Sequence, residues 1–253
     1  MAGTMIDRVA LVTGGGTGIG KAASLVFARE GAKVVIASRT QATGEETVNH
    51  IRASGGVAAW VKTDVTQDAQ AADMVDFAVQ TFGRLDYAFN NAGSGGGRHM
   101  TDELTEENWD ATIDGFLKST WLCMKYEIKA MRIFGGGVIV NNSSVDGERA
   151  FPVAPAYSAA KHGVLGLTKS AGVQYAKMGI RINAVCPGWI LTPPIEDSLQ
   201  DNPAALEMML SHQPIGRLGK AEEVAEAVVW LCSDRASLIT ATILPVDGGY
   251  LAV

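Results

Sequence analysis

The chain has 253 residues, of which 47% are hydrophobic and 19% charged, and its formal net charge at pH 7 is -6. A chain of this size and composition predicts one globular α/β domain with a large buried core. Because the charge balance is acidic and no basic cluster occurs, we expect neither nucleic acid nor an anionic membrane as a partner.

The three cysteines (Cys123, Cys186 and Cys232) lie far apart without a Cys-x-x-Cys motif, which predicts buried free thiols in a cytoplasmic protein. The histidines are scattered, with no other ligand at metal-binding spacing, so we expect no metal site. The first seven residues lack the pattern of a signal peptide, and no apolar segment approaches the length of a membrane span.

A glycine-rich turn separates the first predicted strand from the first predicted helix. The apolar run 8–13 predicts a buried parallel strand, the turn Gly14–Gly20 follows it, and residues 21–30 have a helical pattern. Glycines let the backbone approach a pyrophosphate, and the N–H groups at the start of the helix point at it. In this order the motif predicts a dinucleotide site; the alternative is a tight turn without a ligand.

The second predicted strand, residues 33–38, ends in Ser38-Arg39. An acidic residue at its end would hold the ribose 2′-hydroxyl and repel a 2′-phosphate, whereas a guanidinium pairs well with phosphate. The missing acid at Ser38 and the presence of Arg39 favour NADP(H) over NAD(H). The alternative is that Arg39 is a solvated surface charge.

The next predicted elements continue the alternation of strands and helices. Helices are predicted over 41–54 and 68–82, and strands over 57–61 and 85–90, the latter followed by Asn91. Asp64, after the strand 57–61, could accept from the adenine amino group or cap the helix that begins near Gln67. The alternation predicts a doubly wound, mostly parallel sheet with helices on both faces, whose ligands lie beyond the carboxyl ends of the strands.

The second half of the chain continues this pattern. Residues 94–100 form a glycine-rich loop expected at the rim of the site, and the segment from about 190 to 215 is expected to be a small helical lid or an ordinary packed insertion. Helices are predicted over 105–131, 156–177 and 222–231, and strands over 138–142, 180–185 and 242–246.

Tyr157 and Lys161 are four residues apart in a predicted helix, so their side chains share one face. An ammonium group about 4 Å from a phenol would contribute about 4 kcal/mol, which would lower the phenol pKa by about 3 before desolvation opposes it. The pair therefore predicts a proton donor and acceptor. The alternative is an exposed pair on a solvated helix face.

Sequence motifs from both halves of the chain can be compared with those of a known protein family. They are Thr13-Gly14-Gly15-Gly16-Thr17-Gly18-Ile19-Gly20, Asn90-Asn91-Ala92-Gly93, Ser144, Tyr157 with Lys161, Pro187-Gly188, and Pro245-Val246-Asp247-Gly248-Gly249. In order and spacing the chain resembles the short-chain dehydrogenase/reductase family over nearly its whole length. The resemblance implies a single Rossmann-type domain over residues 1–253, a homotetramer with interfaces near Ser158 and Ala159, and oxidoreductase activity.

The resemblance also implies roles for individual residues. Tyr157 would be the general acid in ketone reduction and the base in alcohol oxidation, and Lys161 would bind the nicotinamide ribose and lower the Tyr157 pKa. Ser144, 13 positions before Tyr157, would bind the substrate oxygen, with Ser143 as the competing serine. The implied cofactor contacts are Gly14, Gly16, Thr17, Gly18, Ile19, Ser38, Arg39, Asp64, Val65, Asn91, Ala92, Gly93, Tyr157, Lys161, Pro187, Gly188, Ile190 and Thr192.

Two positions depart from the family pattern. Phe116 stands where the family usually has a catalytic Asn that holds a water of the proton relay, and Thr17 stands where other NADP-preferring members have a basic residue. The Phe116 carbonyl could still hold the water, and Gly115 allows the helix to distort there. We therefore expect activity to survive, and an NADP preference to depend on Arg39.

The leading hypothesis is an NADP(H)-dependent carbonyl reductase or alcohol dehydrogenase acting on a medium-sized, mostly apolar ketone or the corresponding secondary alcohol. The alternatives are an NAD-dependent dehydrogenase of a cyclic, sugar or steroid alcohol, and a dinucleotide-binding protein with little activity. The expected pocket walls are residues 94–100, Val145, Asp146, Arg149, Trp189, Ile190 and the lid, including its methionines.

Overall fold

Short apolar segments form parallel strands at the centre of the molecule. The computed structural model describes residues 5–95, 97–202 and 204–253. Its strands are β1 (Val9–Thr13), β2 (Lys33–Ser38), β3 (Ala58–Lys62), β4 (Tyr87–Asn90), β5 (Gly137–Asn142), β6 (Ile180–Pro187), β7 (Ile190–Leu191), β8 (Gly219–Lys220) and β9 (Ile243–Val246). The predictions made for residues 1–4, for Gly96 in the glycine-rich loop and for Pro203 in the lid lie outside the described residues.

Within that described part, seven strands form a parallel sheet in the order β3-β2-β1-β4-β5-β6-β9, and β7 pairs with β8. The order reverses between β1 and β4, so a crevice opens there at the carboxyl ends of the strands. The predicted doubly wound α/β fold is therefore confirmed.

Helices cover both faces of the sheet. They are α1 (Gly18–Arg29), α2 (Gln41–Ala53), α3 (Asp68–Phe82), α4 (Glu106–Ile113), α5 (Ser119–Ile133), α6 (Pro155–Tyr175), α7 (Pro193–Asp201), α8 (Ala205–Ser211) and α9 (Ala221–Cys232). Ala10 and Val12 of β1 pack with α1, α2 and α9, whereas Leu11 packs with α3 and α5 on the other face. Alternate side chains of a strand point to opposite faces, which gives the sheet two cores.

Glycine and proline set several helix ends. Gly83 adopts φ 86° at the end of α3, and Gly179 adopts φ 75° before β6, a left-handed conformation that glycine tolerates. Pro155 begins α6, where a missing N–H costs nothing. These local signals explain why most predicted boundaries fall within one or two residues of the observed ones.

Three predicted elements differ from the structure. The strand predicted from residue 85 begins at Tyr87, the first residue paired with β1 and β5, although the Asp86 backbone already hydrogen-bonds to both strands. The helix predicted over 105–131 contains a π-helical turn, Asp114–Lys118, between α4 and α5. The predicted lid comprises two helices, α7 and α8, flanked by the short β7–β8 pair.

The three cysteines are free and buried, as the sequence predicts. Among the described residues, no helix combines the length and apolarity needed to cross a bilayer.

Candidate active site

The glycine-rich turn packs tightly between strand ends. Gly14 has φ 65°, and a Cβ there would lie 2.9 Å from Asn91 Nδ2. A Cβ on Gly20 would collide with the Gly14 carbonyl. Thr17 precedes α1 without a capping hydrogen bond from its side chain, and the first turn of α1 has no acidic residue. The start of α1 therefore offers backbone N–H groups and a positive dipole end to an anion.

Hydrogen bonds join the carboxyl ends of β1, β4 and β5. The Thr13 hydroxyl accepts from the Asn91 N–H at 3.0 Å and the Ala92 N–H at 3.0 Å. Asn142 Nδ2 donates to Asn91 Oδ1 at 3.0 Å. The Asn-Asn-Ala-Gly segment is therefore held directly beside the glycine turn.

The end of β2 carries a cation with no partner among the described residues. Arg39 is exposed and makes no hydrogen bond or ion pair in that part of the chain. The neighbouring Ser38 hydroxyl accepts from Trp60 Nε1 at 2.9 Å. Asp64 does not cap α3, since Gln67 is the residue before that helix. Asp64 Oδ1 instead accepts from the Thr66 N–H at 3.0 Å and the Thr66 hydroxyl at 2.8 Å.

These residues line a cavity of about 270 Å³ at the switch point of the sheet. It brings together ten of the predicted cofactor contacts: Gly14, Gly16, Thr17, Ser38, Arg39, Asp64, Val65, Asn91, Ala92 and Gly93. A second cavity of about 480 Å³ shares Asn91 and Gly93 with it. The second cavity is also lined by Ile19, Ser144, Tyr157, Lys161, Pro187, Gly188, Ile190 and Thr192. Gly18, the remaining predicted contact, lies beside Thr192.

The structure distinguishes the two candidate serines. The buried Ser143 hydroxyl donates to the Lys161 carbonyl at 3.0 Å, which ties β5 to α6. The Ser144 hydroxyl faces the Tyr157 phenol, and this contact lowers the phenol pKa. Ser144 therefore lies where a substrate oxygen could meet both hydroxyl groups.

Lys161 is buried, with 6% of its surface exposed. Its ammonium group donates to the Asn142 carbonyl at 2.8 Å and lies 4.9 Å from the centre of the Phe116 ring. Burial lowers the pKa of Lys161 to about 8. Sequence reasoning missed Asn142 as the residue that holds this ammonium, although its place before Ser143-Ser144 at a strand end was a usable signal.

The prediction that the Tyr157 pKa lies below its ordinary value is wrong for this structure. Burial raises the pKa of Tyr157 to about 12, against the opposing effect of Ser144. The Lys161 ammonium is directed to Asn142 and lies 5.5 Å from the centre of the tyrosine ring. Desolvation thus outweighs the attraction of the nearby cation. A phenol in this state is protonated at neutral pH and can donate a proton.

Phe116 lies within the site, at the π-helical turn. Its ring meets the Tyr157 ring edge-on, with centroids 4.9 Å apart and an angle of 85°. Gly93 leaves room for the Phe116 ring, and Gly115 packs against the Ser94 backbone. The Phe116 carbonyl accepts from the Thr120 hydroxyl at 2.7 Å, which occupies one of its two lone pairs. The predicted helix distortion at Gly115 is confirmed, and no side-chain polar group is present at position 116.

Among the described residues, the second cavity has apolar walls and two charged groups besides Lys161. Val145, Asp146, Trp189 and Ile190 line it as predicted, together with Arg98. Burial raises the pKa of Asp146 to about 6. Phe151 and Tyr250 also line the cavity but had no distinctive sequence signal.

Two expected pocket walls lie elsewhere. Arg149 does not line the cavity, because its guanidinium group donates to the carbonyl of Val253 at 2.9 Å. The lid contributes Pro194 and Ile195 to the cavity, while its Met209 is buried away from it. The apolar surface of the pocket therefore comes from Phe151, Trp189 and Ile195 rather than from methionine.

The sequence and the fold of this chain can be compared with those of known proteins. A family model described as enoyl-(acyl carrier protein) reductase matches residues 14–251. A cyclohexanol dehydrogenase of Acinetobacter sp. (strain SE19) is 44% identical over 250 residues, which cover 99% of this chain and 97% of that protein. The crystal structure of a levodione reductase superposes with a TM-score of 0.94 at 38% identity, covering 98% of this chain and 99% of the other.

An NADP-bound structure from Agrobacterium tumefaciens, assigned as 2-deoxy-d-gluconate 3-dehydrogenase, has a TM-score of 0.91 at 36% identity and covers 99% of this chain and 98% of its own. The similarity extends over full chains and includes proteins named as dehydrogenases and reductases. This chain is therefore a member of the short-chain dehydrogenase/reductase family and an oxidoreductase of alcohol or carbonyl groups.

Proposed function

We propose that the protein is an NADP(H)-dependent reductase of cyclic or similarly compact ketones and dehydrogenase of the corresponding secondary alcohols. The observation that carries the proposal is the meeting of Ser144, Tyr157 and Lys161 in one cavity that adjoins the glycine turn. A protein that only binds the dinucleotide has no need of a serine facing a buried tyrosine.

The residues at the switch point fit a nicotinamide dinucleotide. The glycine turn and the uncapped start of α1 suit its pyrophosphate, and the unpaired Arg39 suits a 2′-phosphate. Asp64 Oδ2, which has no hydrogen bond within the described part of the chain, could accept from the adenine amino group. When bound, the nicotinamide supplies the hydride in reduction or accepts it in oxidation.

The chain itself positions the substrate and moves the proton. Ser144 and Tyr157 hold the substrate oxygen, and the protonated Tyr157 gives its proton to that oxygen as the carbonyl is reduced. In the reverse direction Tyr157 receives the proton. Lys161, held by the Asn142 carbonyl, supplies a positive charge that stabilises the phenolate left behind.

The walls of the second cavity favour a neutral, mostly apolar substrate. Phe151, Trp189 and Ile195 supply apolar surface, and we propose that α7, with Ile195, acts as part of a lid. The Asp146 carboxyl lies in the same wall and would repel a carboxylate substrate at neutral pH. A cavity of about 480 Å³, lined in part by predicted cofactor contacts, leaves room for a ring-sized ketone beside the nicotinamide.

The proposal is tested by following the absorbance of NADPH and NADH with aliphatic, cyclic and aryl ketones. We expect ketone-dependent consumption of NADPH, fastest with cyclic ketones. If the folded protein binds NADPH but turns over no ketone, Phe116→Asn separates the two explanations. Recovery of activity would assign the failure to the proton relay, whereas continued inactivity would contradict the proposed function.

Arg39→Ala tests the choice of cofactor. Loss of a charge-assisted hydrogen bond costs about 1.5–3 kcal/mol, so kcat/KM for NADPH should fall by about 10- to 100-fold while that for NADH stays nearly unchanged. Arg132→Ala removes an exposed arginine from the last turn of α5 and should alter neither value. Unchanged NADPH selectivity in Arg39→Ala would favour the NAD-dependent alternative. That alternative is also consistent with Thr17, which stands where other NADP-preferring members have a basic residue.

A further inference from the structure

A carboxyl group lies in the core directly behind the site. Glu127 of α5 is 0% exposed, and Asn90 and Asn141, at the ends of β4 and β5, are 4% and 0% exposed. Asn90 Nδ2 donates to Glu127 Oε2 at 2.9 Å and to Asn141 Oδ1 at 3.1 Å. In the described part of the chain no Lys, Arg or His forms an ion pair with Glu127.

The direction of each hydrogen bond in this network can be traced. The Thr168 hydroxyl donates to the Val164 carbonyl at 2.7 Å, so its oxygen must accept from Asn141 Nδ2 at 2.9 Å. Asn141 therefore turns its Oδ1 towards Asn90, which must present its Nδ2. The same Nδ2 also donates to Glu127, and among the described residues Asn90 Oδ1 accepts no hydrogen bond.

Two buried atoms remain without a partner among the described residues of this network, Asn90 Oδ1 and Glu127 Oε1. They belong to the same two groups that already meet through Asn90 Nδ2 and Glu127 Oε2. Two acceptors cannot hydrogen-bond to each other. A proton on Glu127 Oε1 would make that atom a donor and Asn90 Oδ1 its acceptor. A carboxylic acid and a carboxamide can in this way exchange two hydrogen bonds.

We propose that Glu127 is a neutral, protonated acid that forms a reciprocal pair with the Asn90 amide and so positions the site above it. Asn90 precedes Asn91, and Asn141 precedes Asn142. Asn142 donates to Asn91 and accepts from the Lys161 ammonium group. Glu127 touches neither cavity, and it acts on the site through Asn90 as a positioning residue.

The surroundings of Glu127 support a neutral acid. Burial raises its pKa to about 8, against the opposing donation from Asn90. On the same helix Cys123 faces it, and the pKa of that thiol is well above its ordinary value because of burial and then Glu127. Asn90 of β4 donates to it, and the hydrogen bonds behind Asn90 continue through the uncharged side chains Asn141 of β5 and Thr168 of α6.

Glu127→Gln is the decisive variant, because its amide reproduces one donor and one acceptor without a titratable proton. Between about pH 4.5 and pH 8 the folded wild type keeps a proton that the unfolded chain releases. Wild-type stability should therefore fall as the pH rises through this range, then level off above it. Relative to Glu127→Gln, the unfolding equilibrium constant should rise about tenfold per pH unit. Parallel pH–stability curves for the two proteins would overturn the proposal.

Infrared spectroscopy tests the same proton without unfolding. The difference spectrum between wild type and Glu127→Gln at pH 7 should contain the carbonyl band of a protonated carboxyl group. A carboxylate band in its place would overturn the proposal and indicate an ionised Glu127 bridged to Asn90 by water. Glu46→Gln is the control: Glu46 is exposed and its hydrogen bond with Lys21 lowers the carboxyl pKa, so this variant should show only the carboxylate band.

Dinucleotide binding tests the positioning role. Above pH 8 the wild type should bind NADPH more weakly, by several-fold, because ionised Glu127 can no longer donate to Asn90. Lys161, whose pKa is about 8, titrates in both proteins, so Glu127→Gln should lose less affinity than the wild type across that range, whereas Glu127→Leu should bind weakly at every pH. Equal pH dependence of NADPH affinity in wild type and Glu127→Gln would contradict the positioning role.

Discussion

Tyr157→Phe should reduce kcat for ketone reduction by about 10²- to 10⁴-fold, the range usually found when a positioned proton donor is removed. The variant keeps the ring that packs against Phe116 and loses only the hydroxyl that faces Ser144. The dissociation constant for NADPH should change little. Steady-state rates and fluorescence titration with NADPH would measure the two effects.

Tyr126→Phe is the matched control. The Tyr126 hydroxyl donates to Asp68 at 2.8 Å, outside both cavities, so its loss should leave kcat unchanged. Wild-type rates in Tyr157→Phe would show that another group supplies the proton. The assignment of Tyr157 as the general acid would then be wrong.

Lys161→Met should abolish most activity while making the fold more stable. At pH 7 the folded protein must bury the ammonium group, whose pKa of about 8 lies below its ordinary 10.5. That difference corresponds to about 3 kcal/mol, and the lost hydrogen bond to Asn142 would offset about 1 kcal/mol. The free energy of unfolding should therefore rise by about 2 kcal/mol, and kcat/KM should fall by at least about 10²-fold.

The stability difference between wild type and Lys161→Met should depend on pH. Because the folded-state pKa of Lys161 is lowered, wild-type stability should increase as the pH rises from about 8 towards 10.5, and the advantage of Lys161→Met should shrink. Lys169→Met, at an exposed position of the same helix, should change neither activity nor this pH dependence. Denaturant unfolding at several pH values measures the difference. A Lys161→Met protein that is less stable than wild type at pH 7 would show that burial of the ammonium group does not destabilise the fold.

Local patterns in the sequence were sufficient to predict the sheet and most of the residues around its switch point. The apolar strands, the glycine turn and the caps act over a few residues, so their signals can be recognised without tertiary contacts. The proximity of Tyr157 and Lys161 followed from their spacing in a helix, and the place of Ser144 beside them was implied by the family resemblance. The π-helical turn Asp114–Lys118 interrupts the helix predicted over 105–131, and at this turn Gly115 packs against the backbone of Ser94, which is distant in sequence.

The tertiary structure decided the electrostatic state of the site. The sequence placed Lys161 one helical turn from Tyr157, but the fold directs its ammonium to Asn142 and buries both groups against Phe116. Arg149, expected in the pocket, binds a carbonyl near the C-terminus instead. The pairing of Glu127 with Asn90 joins residues 37 positions apart.

Spacing along the chain therefore determined which chemical groups this protein brings to the ends of its strands. Their partners and pKa values depend on burial and on contacts between distant segments, and these exist only after the sheet and helices have packed.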